Sequence, residues 1–270
     1  MTTAEIGVIG GSGFYELFGA HDQESRHIAT PYGDPSDTVT IGTVAGRSVA
    51  FLPRHGTRHT IPPHRINYRA NLWALSSLGV TRVVAPCAAG SLRADLKPGE
   101  VVVCDQLIDA TKGRRDDTFF DGPEVAHLSA PWPYCAELRA AAAASSRSAG
   151  LTTHDAGTVV VIEGPRFSTA AESRLRTAQG ADLINMTQYP EVALARELGF
   201  CYSALALLTD YDAGVDRGEE VAAVTQEEVL RVFAAKIALL REAVLQLVAS
   251  LPAERGCDCA AGRPASISHE

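Results

Sequence analysis

Four predicted strands in this 270-residue chain end in small or polar residues. Ile6–Ile9 runs into Gly10-Gly11-Ser12-Gly13, and Val49–Leu52 runs into Arg54-His55. Arg82–Pro86 opens into Cys87-Ala88-Ala89-Gly90, and Phe200–Leu208 ends in Thr209-Asp210-Tyr211-Asp212. Segments of helical period lie between and after the strands. Ile66–Leu78 is one, and Thr225–Leu251 is another, with Val229, Phe233, Ile237, Leu240, Val244 and Leu247 three or four residues apart. Alternation of this kind predicts an α/β fold, a single domain with a mixed central β-sheet flanked by helices. Sheets of that type bind ligands at their strand ends, so the four clusters are candidate site segments.

The second cluster opens an unusual stretch. Arg54–Asn71 holds four arginines, three histidines and no acidic residue, in a chain of formal charge −8. Unpaired local positive charge calls for an anion, and planar Arg forks suit phosphate oxygens. Taken alone the stretch is equally a solvated basic loop. A metal site is the weaker alternative, because interleaved arginines repel a cation and no carboxylate lies nearby to ligate or orient. The first cluster supports an anion as well, since glycines after a strand let backbone N–H groups approach closely. It is no dinucleotide fingerprint: Glu16 stands where the third glycine would be.

Composition sets outer limits. Hydrophobic residues make up 46% and charged residues 21%, as in soluble globular proteins. The acidic balance argues against nucleic acid. No apolar run approaches the ~20 residues of a membrane span, and no basic segment precedes the first apolar stretch, so a cytoplasmic protein is expected. Cys87, Cys104, Cys135 and Cys201 stand singly among apolar neighbours, as buried thiols do in a reducing compartment. Cys257-Asp258-Cys259 is the one close pair, and it falls in a polar tail expected to fray after Pro252. No C-x-x-C spacing supports zinc. Gly113–Pro133 reads as a long polar excursion with little apolar content to pack on its own domain. A helix opening at Pro190, just past Thr187, would add partial positive charge near an anion.

These segments, together with Asn67-Tyr68-x-Ala70-Asn71, Glu163-Gly164-Pro165-Arg166-Phe167 and Ile184-Asn185-Met186-Thr187 with Pro190-Glu191, form a set. The set resembles the trimeric branch of the purine nucleoside phosphorylase superfamily, and within it the S-methyl-5′-thioadenosine phosphorylases. The likeness runs from about Ile6 to Leu247, so residues 1–251 are expected to be the phosphorylase domain and 252–270 a polar tail. It implies phosphorolysis of S-methyl-5′-thioadenosine without cofactor or metal, by a cytoplasmic homotrimer or dimer of trimers. By that resemblance Ser12, Arg54, His55, the Cys87-Ala88 segment and Thr187 hold phosphate. Met186 lies against the ribose and Phe167 against the purine. Asp210 faces purine N7 and Asp212 the 6-amino group. Val224 borders the pocket of the 5′ substituent, which His127 reaches from a neighbouring subunit. The family places Thr where this chain has Ser12, and often where it has Cys87.

Three rival functions remain at this level. A phosphorylase for 6-oxopurine nucleosides, including methylthioinosine, typically has Asn at the position of Asp210 and often Glu at that of Ser168. Asp210 with Ser168 favours aminopurines, because a carboxylate prefers the 6-amino donor. Another 5′-substituted adenosine would also suit an apolar pocket. A non-catalytic nucleoside sensor on the same fold would not need the retained acid.

Overall fold

The computed structural model describes residues 3–11, 14, 23–113, 116–215 and 223–262. Its centre is a mixed sheet. The strands are β1 (Ile6–Gly10), β2 (Gln23–Arg26), β3 (Val39–Val44), β4 (Arg47–Pro53), β5 (Arg82–Ser91), β6 (Val101–Val103), β7 (Gln106–Ala110), β8 (Thr153–His154), β9 (Thr158–Ile162), β10 (Leu183–Asn185) and β11 (Cys201–Tyr211). The helices are α1 (Tyr68–Ser77), α2 (Ala136–Ser148), α3 (Ala170–Ala178), α4 (Gln188–Glu197) and α5 (Gln226–Ser250). Apolar residues of α1 and α4 pack on one face of the sheet, and those of α2 and α5 on the other. The C-terminal half of α5 supplies Leu240, Val244 and Leu247 to that second core, as its periodicity predicts.

One branch of the sheet runs in the order β2-β3-β4-β1-β5-β10-β9-β7, while β11 pairs with β5 and β6. β5 is therefore the trunk, and its neighbours change along its length. β11 follows it in parallel from Arg82 to Ser91. On the other edge β1 pairs only with Arg82–Val84, and β10 joins antiparallel at Gly90 and Ser91. Between Val84 and Gly90 that edge has no strand partner among the described residues, so the sheet forks there. A ligand can reach backbone in such a fork, as it does at the switch points of open α/β sheets.

This changes one expectation. Cys87-Ala88-Ala89-Gly90 is not a loop after a strand but the second half of β5. Small residues suit it because β11 lies along one edge and buried cores lie on both faces, while the other edge opens into the fork. Two further corrections concern the later chain. Residues 252–262 do not fray: Arg82 Nη2 donates to Pro252 O (2.9 Å), Arg255 Nη1 to Gly199 O (2.9 Å), and Gly256 N to Glu137 Oε2 (2.8 Å). The excursion from Gly113 also packs at its start. Phe119 meets Tyr32 edge-on and lies tilted against Trp73, and Glu197 accepts from the Thr118 hydroxyl and Phe119 N (both 2.7 Å). Its far part is different, with Val125 and Trp132 strongly exposed.

Candidate active site

Arg54 directly follows β4 and is buried, with 2% of its surface exposed. A buried cation needs a partner, and Glu191 on α4 supplies it. Nε and Nη2 of Arg54 donate to the two carboxylate oxygens of Glu191 at 2.8 and 2.9 Å, and Tyr202 Oη donates to Oε1 at 2.7 Å. Burial works against the Arg54 charge, but Glu191 outweighs it and the pKa is raised. The arginine is thus not the unpaired cation expected from the sequence. Its partner stands 137 positions away. Farther along the basic run, Arg69 pairs with Asp116 and Asp121.

Arg54 also mends the fork. Nη1 donates to Pro86 O (3.2 Å) and Nη2 to Ile9 O (2.9 Å). Asn185 Nδ2 donates to Ala88 O (2.8 Å). Side chains here do what a missing strand would do. Strand residues alternate edges, and a residue's N–H points the same way as its C=O. Pro86 has no N–H, so the donor left on this edge is that of Ala88, facing the fork. Asn185 also fixes the start of α4. Its Oδ1 accepts from Thr187 N (2.7 Å), Gln188 N (2.8 Å) and the Thr187 hydroxyl (3.3 Å). Thr187 is thereby held in place, and its hydroxyl is only loosely engaged.

His55 Nδ1 lies 2.9 Å from Ile61 O. A carbonyl only accepts, so Nδ1 carries the proton and Nε2 keeps its lone pair. Burial, then the neighbouring Arg54 charge, pushes the His55 pKa down to about 4. His55 is neutral at physiological pH and can accept a proton shared by a phosphate oxygen. Cys87 is no nucleophile: burial pushes its thiol up to about 12, and Gln188 Nε2 donates to it at 3.6 Å.

At the far side of the same cavity, β11 carries Asp210. Leu208 pairs with Ala89 and Asp210 with Gly90, so Thr209 is an extra residue, a β-bulge. Regular alternation would put Asp210 on the core face used by Leu208; the bulge re-aims it. Gly90 makes room, since a Cβ there would stand 2.9 Å from Asp210 Oδ1. Burial lifts the Asp210 pKa to about 6, and the Thr209 hydroxyl, donating to Oδ2 at 2.8 Å, holds it back. Asp212 is raised too, again by burial first, with the hydroxyls of Ser173 and Ser168 pulling the other way. Neither hydroxyl makes a well-formed hydrogen bond to Asp212 Oδ2, which is buried without a partner among the described residues.

These groups line one cavity of about 420 Å³, large enough for a nucleoside and a phosphate. Arg54, His55, Cys87, Ala88 and Thr187 meet at one end; Phe167, Ser168, Met186, Asp210 and Asp212 meet at the other. Gly164, at φ +68°, leaves space for Met186, whose Sδ would be 2.5 Å from a Cβ at that position. Gly11 reaches the cavity, while Ser12 lies outside the described residues. Val224 and the exposed His127 do not line the cavity within this chain. Sequence reasoning missed the roles of Glu191 and Asn185 and the lining by Ile61, whereas the start of α5, expected by resemblance to border an apolar pocket, does line the cavity with Val229, Leu230 and Phe233. An Asn two residues before the N-cap of a helix was the one local signal for Asn185.

A buried Arg54 and a neutral His55 at the fork of an α/β sheet thus share one cavity with the Asp210 and Asp212 carboxyls. The chain belongs to the phosphorylase superfamily, whose family model matches residues 5–248. It is 53% identical to a purine nucleoside phosphorylase of Streptomyces coelicolor, over 96% of this chain and 94% of the relative. It is 51% identical to an S-methyl-5′-thioadenosine phosphorylase of Thermofilum pendens, over 96% and 97%. Among solved structures, methylthioadenosine phosphorylase from Schistosoma mansoni in complex with adenine superposes with a TM-score of 0.88 at 38% identity, covering 96% of each chain.

Proposed function

We propose that this chain catalyses phosphorolysis of S-methyl-5′-thioadenosine to adenine and 5-methylthio-α-D-ribose 1-phosphate, a pentosyl transfer serving purine and methionine salvage. The observation that carries the reading is the pairing, in one cavity, of a fixed anion end with a carboxyl whose pKa is raised to about 6. Phosphate attacks C1′ while the N-glycosidic bond breaks through an oxocarbenium-like transition state. Arg54, the Ala88 N–H and the Thr187 hydroxyl orient the phosphate, with Ser12 as a further donor, and neutral His55 accepts a hydrogen bond from the hydroxyl that the phosphate keeps. Asp210 shares a proton with purine N7, so the leaving base departs without full negative charge. Asp212 accepts from the 6-amino group. Met186 packs on the ribose and Phe167 on the base. Neither metal nor organic cofactor has a step to perform.

A second reading, cleavage of 6-oxopurine nucleosides, is favoured by the name of the Streptomyces relative. Asp210 and Ser168 oppose it, because a 6-oxo group presents an acceptor to two carboxylates. Steady-state kinetics with phosphate on methylthioadenosine, methylthioinosine and inosine separates the two readings. Methylthioadenosine is expected to have the highest kcat/KM, and equal values for all three would overturn the assignment.

The exposed Trp132 and Val125 suit a subunit contact, and the 5′ end of the cavity lacks Val224 and His127 within one chain. Our reading is a cytoplasmic homotrimer in which His127 completes a neighbour's site. Light scattering at micromolar concentration is expected to give a trimer or a dimer of trimers, and a monomeric mass would sink this assembly. Among the described residues no helix is long and apolar enough to cross a membrane.

A further inference from the structure

The cysteines expected to stand apart do not. Cys135, Cys201, Cys257 and Cys259 come from three separate segments, yet their Sγ atoms all lie within 4.8 Å of one another. Three of them are buried and Cys257 is half-buried. Their placement does not depend on sulfur chemistry. Cys201 opens β11, and Cys135 N donates to Tyr202 O beside it (2.9 Å). The 252–262 segment is held by the hydrogen bonds of Arg82, Arg255 and Gly256 described above. The backbone thus carries four thiols to one point, and Cys257 and Cys259 arrive from a single turn.

We infer that these four cysteines form a tetrathiolate site for a soft divalent cation of the zinc class. Zinc with four thiolates at about 2.3 Å sets neighbouring sulfurs roughly 3.8 Å apart, so adjustments of an ångström or less complete the tetrahedron. Sulfur-only ligation selects zinc-like ions over hard cations. Two disulfides would need the sulfurs in pairs, whereas here all four converge, with the Sγ atoms of Cys201 and Cys257 3.2 Å apart. Cys135 is also the N-cap of α2, and Leu138 N donates to its Sγ at 3.5 Å. Binding is written as one divalent ion plus four thiols giving a dianionic tetrathiolate and four protons, with no oxidant involved.

The site is structural. It sits at the start of β11, while Asp210 lies nine residues on, roughly 30 Å along an extended strand. Its effect is to pin the 252–262 segment to β11 and α2, which turns a polar tail into part of the fold.

The test uses the full chain purified in thiol reductant without chelator. Elemental analysis and native mass spectrometry are expected to find one zinc per chain, released only after a mercurial thiol reagent. Cobalt added to the stripped protein should give the visible bands of tetrahedral thiolate coordination, and zinc should restore the melting temperature lost on stripping. Cys259→Ser should lose the ion while kcat on methylthioadenosine stays unchanged. A protein four mass units light, meaning two disulfides, would overturn the site. So would four freely alkylated thiols with no metal and no cobalt bands. The wild-type cobalt titration keeps the test decisive if Cys259→Ser fails to fold.

Discussion

The two ends of the cavity are built on opposite principles. At the Arg54 end the buried charges and the fork's carbonyls already have partners: Arg54 with Glu191, Glu191 with Tyr202, Pro86 O with Arg54, and Ala88 O with Asn185. At the Asp210 end two carboxyl groups sit in surroundings that disfavour their charge, and Asp212 Oδ2 has no partner among the described residues. One end is finished before the ligand arrives; the other waits for it. On the proposed function, with phosphate at the first end and purine at the second, the difference follows from what each end must do. Phosphate is already a nucleophile and needs orientation, so rigid donors serve it. The purine must receive a proton as it leaves, so an acid held near its ionisation point serves it.

The largest expected effect breaks the finished end. Arg54→Ala removes a donor to phosphate and leaves Glu191 as a buried, unpaired carboxylate. Breaking such a pair costs about 3–5 kcal/mol of stability. The KM for phosphate should rise roughly ten- to a hundredfold, in line with a charge-assisted hydrogen bond. Glu191→Gln separates the two effects. It keeps the shape but strands the Arg54 charge, so stability should fall while phosphate binding does not weaken in proportion. Added phosphate should then raise the melting temperature of Glu191→Gln more than that of wild type. If phosphate protects both equally, Arg54 does not face the anion.

The next effect sharpens the waiting end. Asp210→Asn is nearly isosteric but has no acidic proton to share. We expect kcat on methylthioadenosine to drop by ~10² or more. Wild type should prefer methylthioadenosine over methylthioinosine by roughly a factor of ten to a hundred, the cost of one unpaired polar group in a closed site. The variant should narrow that gap. With the Asp210 pKa at about 6, wild-type kcat/KM for the nucleoside should fall as pH rises above 6, because the protonated fraction declines. Asp210→Asn should lose that limb and keep the one due to ionisation of phosphate itself. A limb unchanged in the variant would show that another group is the acid.

This contrast also shows what the sequence could reveal. Strand ends carry local signatures, so Gly10–Gly13, Arg54-His55 and Thr209–Asp212 could be picked out, and the Arg54–Asn71 run pointed to an anion. The neutralisation of Arg54 was invisible, because Glu191 is remote in sequence and sits in an ordinary helical pattern. The fork was invisible too: Cys87–Gly90 reads as a loop unless one knows that the β1 pairing stops at Val84 and β10 enters at Gly90. The bulge at Thr209 leaves no compositional trace, yet it aims Asp210. For the cysteines, spacing misled, since the four sulfurs meet through strand and helix ends that no C-x-x-C pattern marks.

The smallest expected effect is on stability, and its sign is the telling part. Asp210 has a folded pKa of about 6 against an ordinary value of 3.8. Below pH ~4 the carboxyl is protonated in both folded and unfolded chains and burial costs it nothing extra. Between pH ~4 and 6 the unfolded chain ionises this carboxyl, while the folded protein still holds its proton because burial disfavours the charge. Stability is therefore lost over that window, by at most about 3 kcal/mol for a shift of this size. Asparagine has no charge to bury, and its side-chain oxygen can still accept from Thr209. Asp210→Asn should thus be the more stable protein at pH 7, by about 1 kcal/mol after allowing for solvent near the cavity. The advantage should shrink towards zero by pH 4. Urea unfolding of both proteins at pH 4 and pH 7 measures it directly. If Asp210→Asn is equally or less stable at pH 7, the carboxyl is not held against its charge, and the contrast between a finished and a waiting end fails where it matters most.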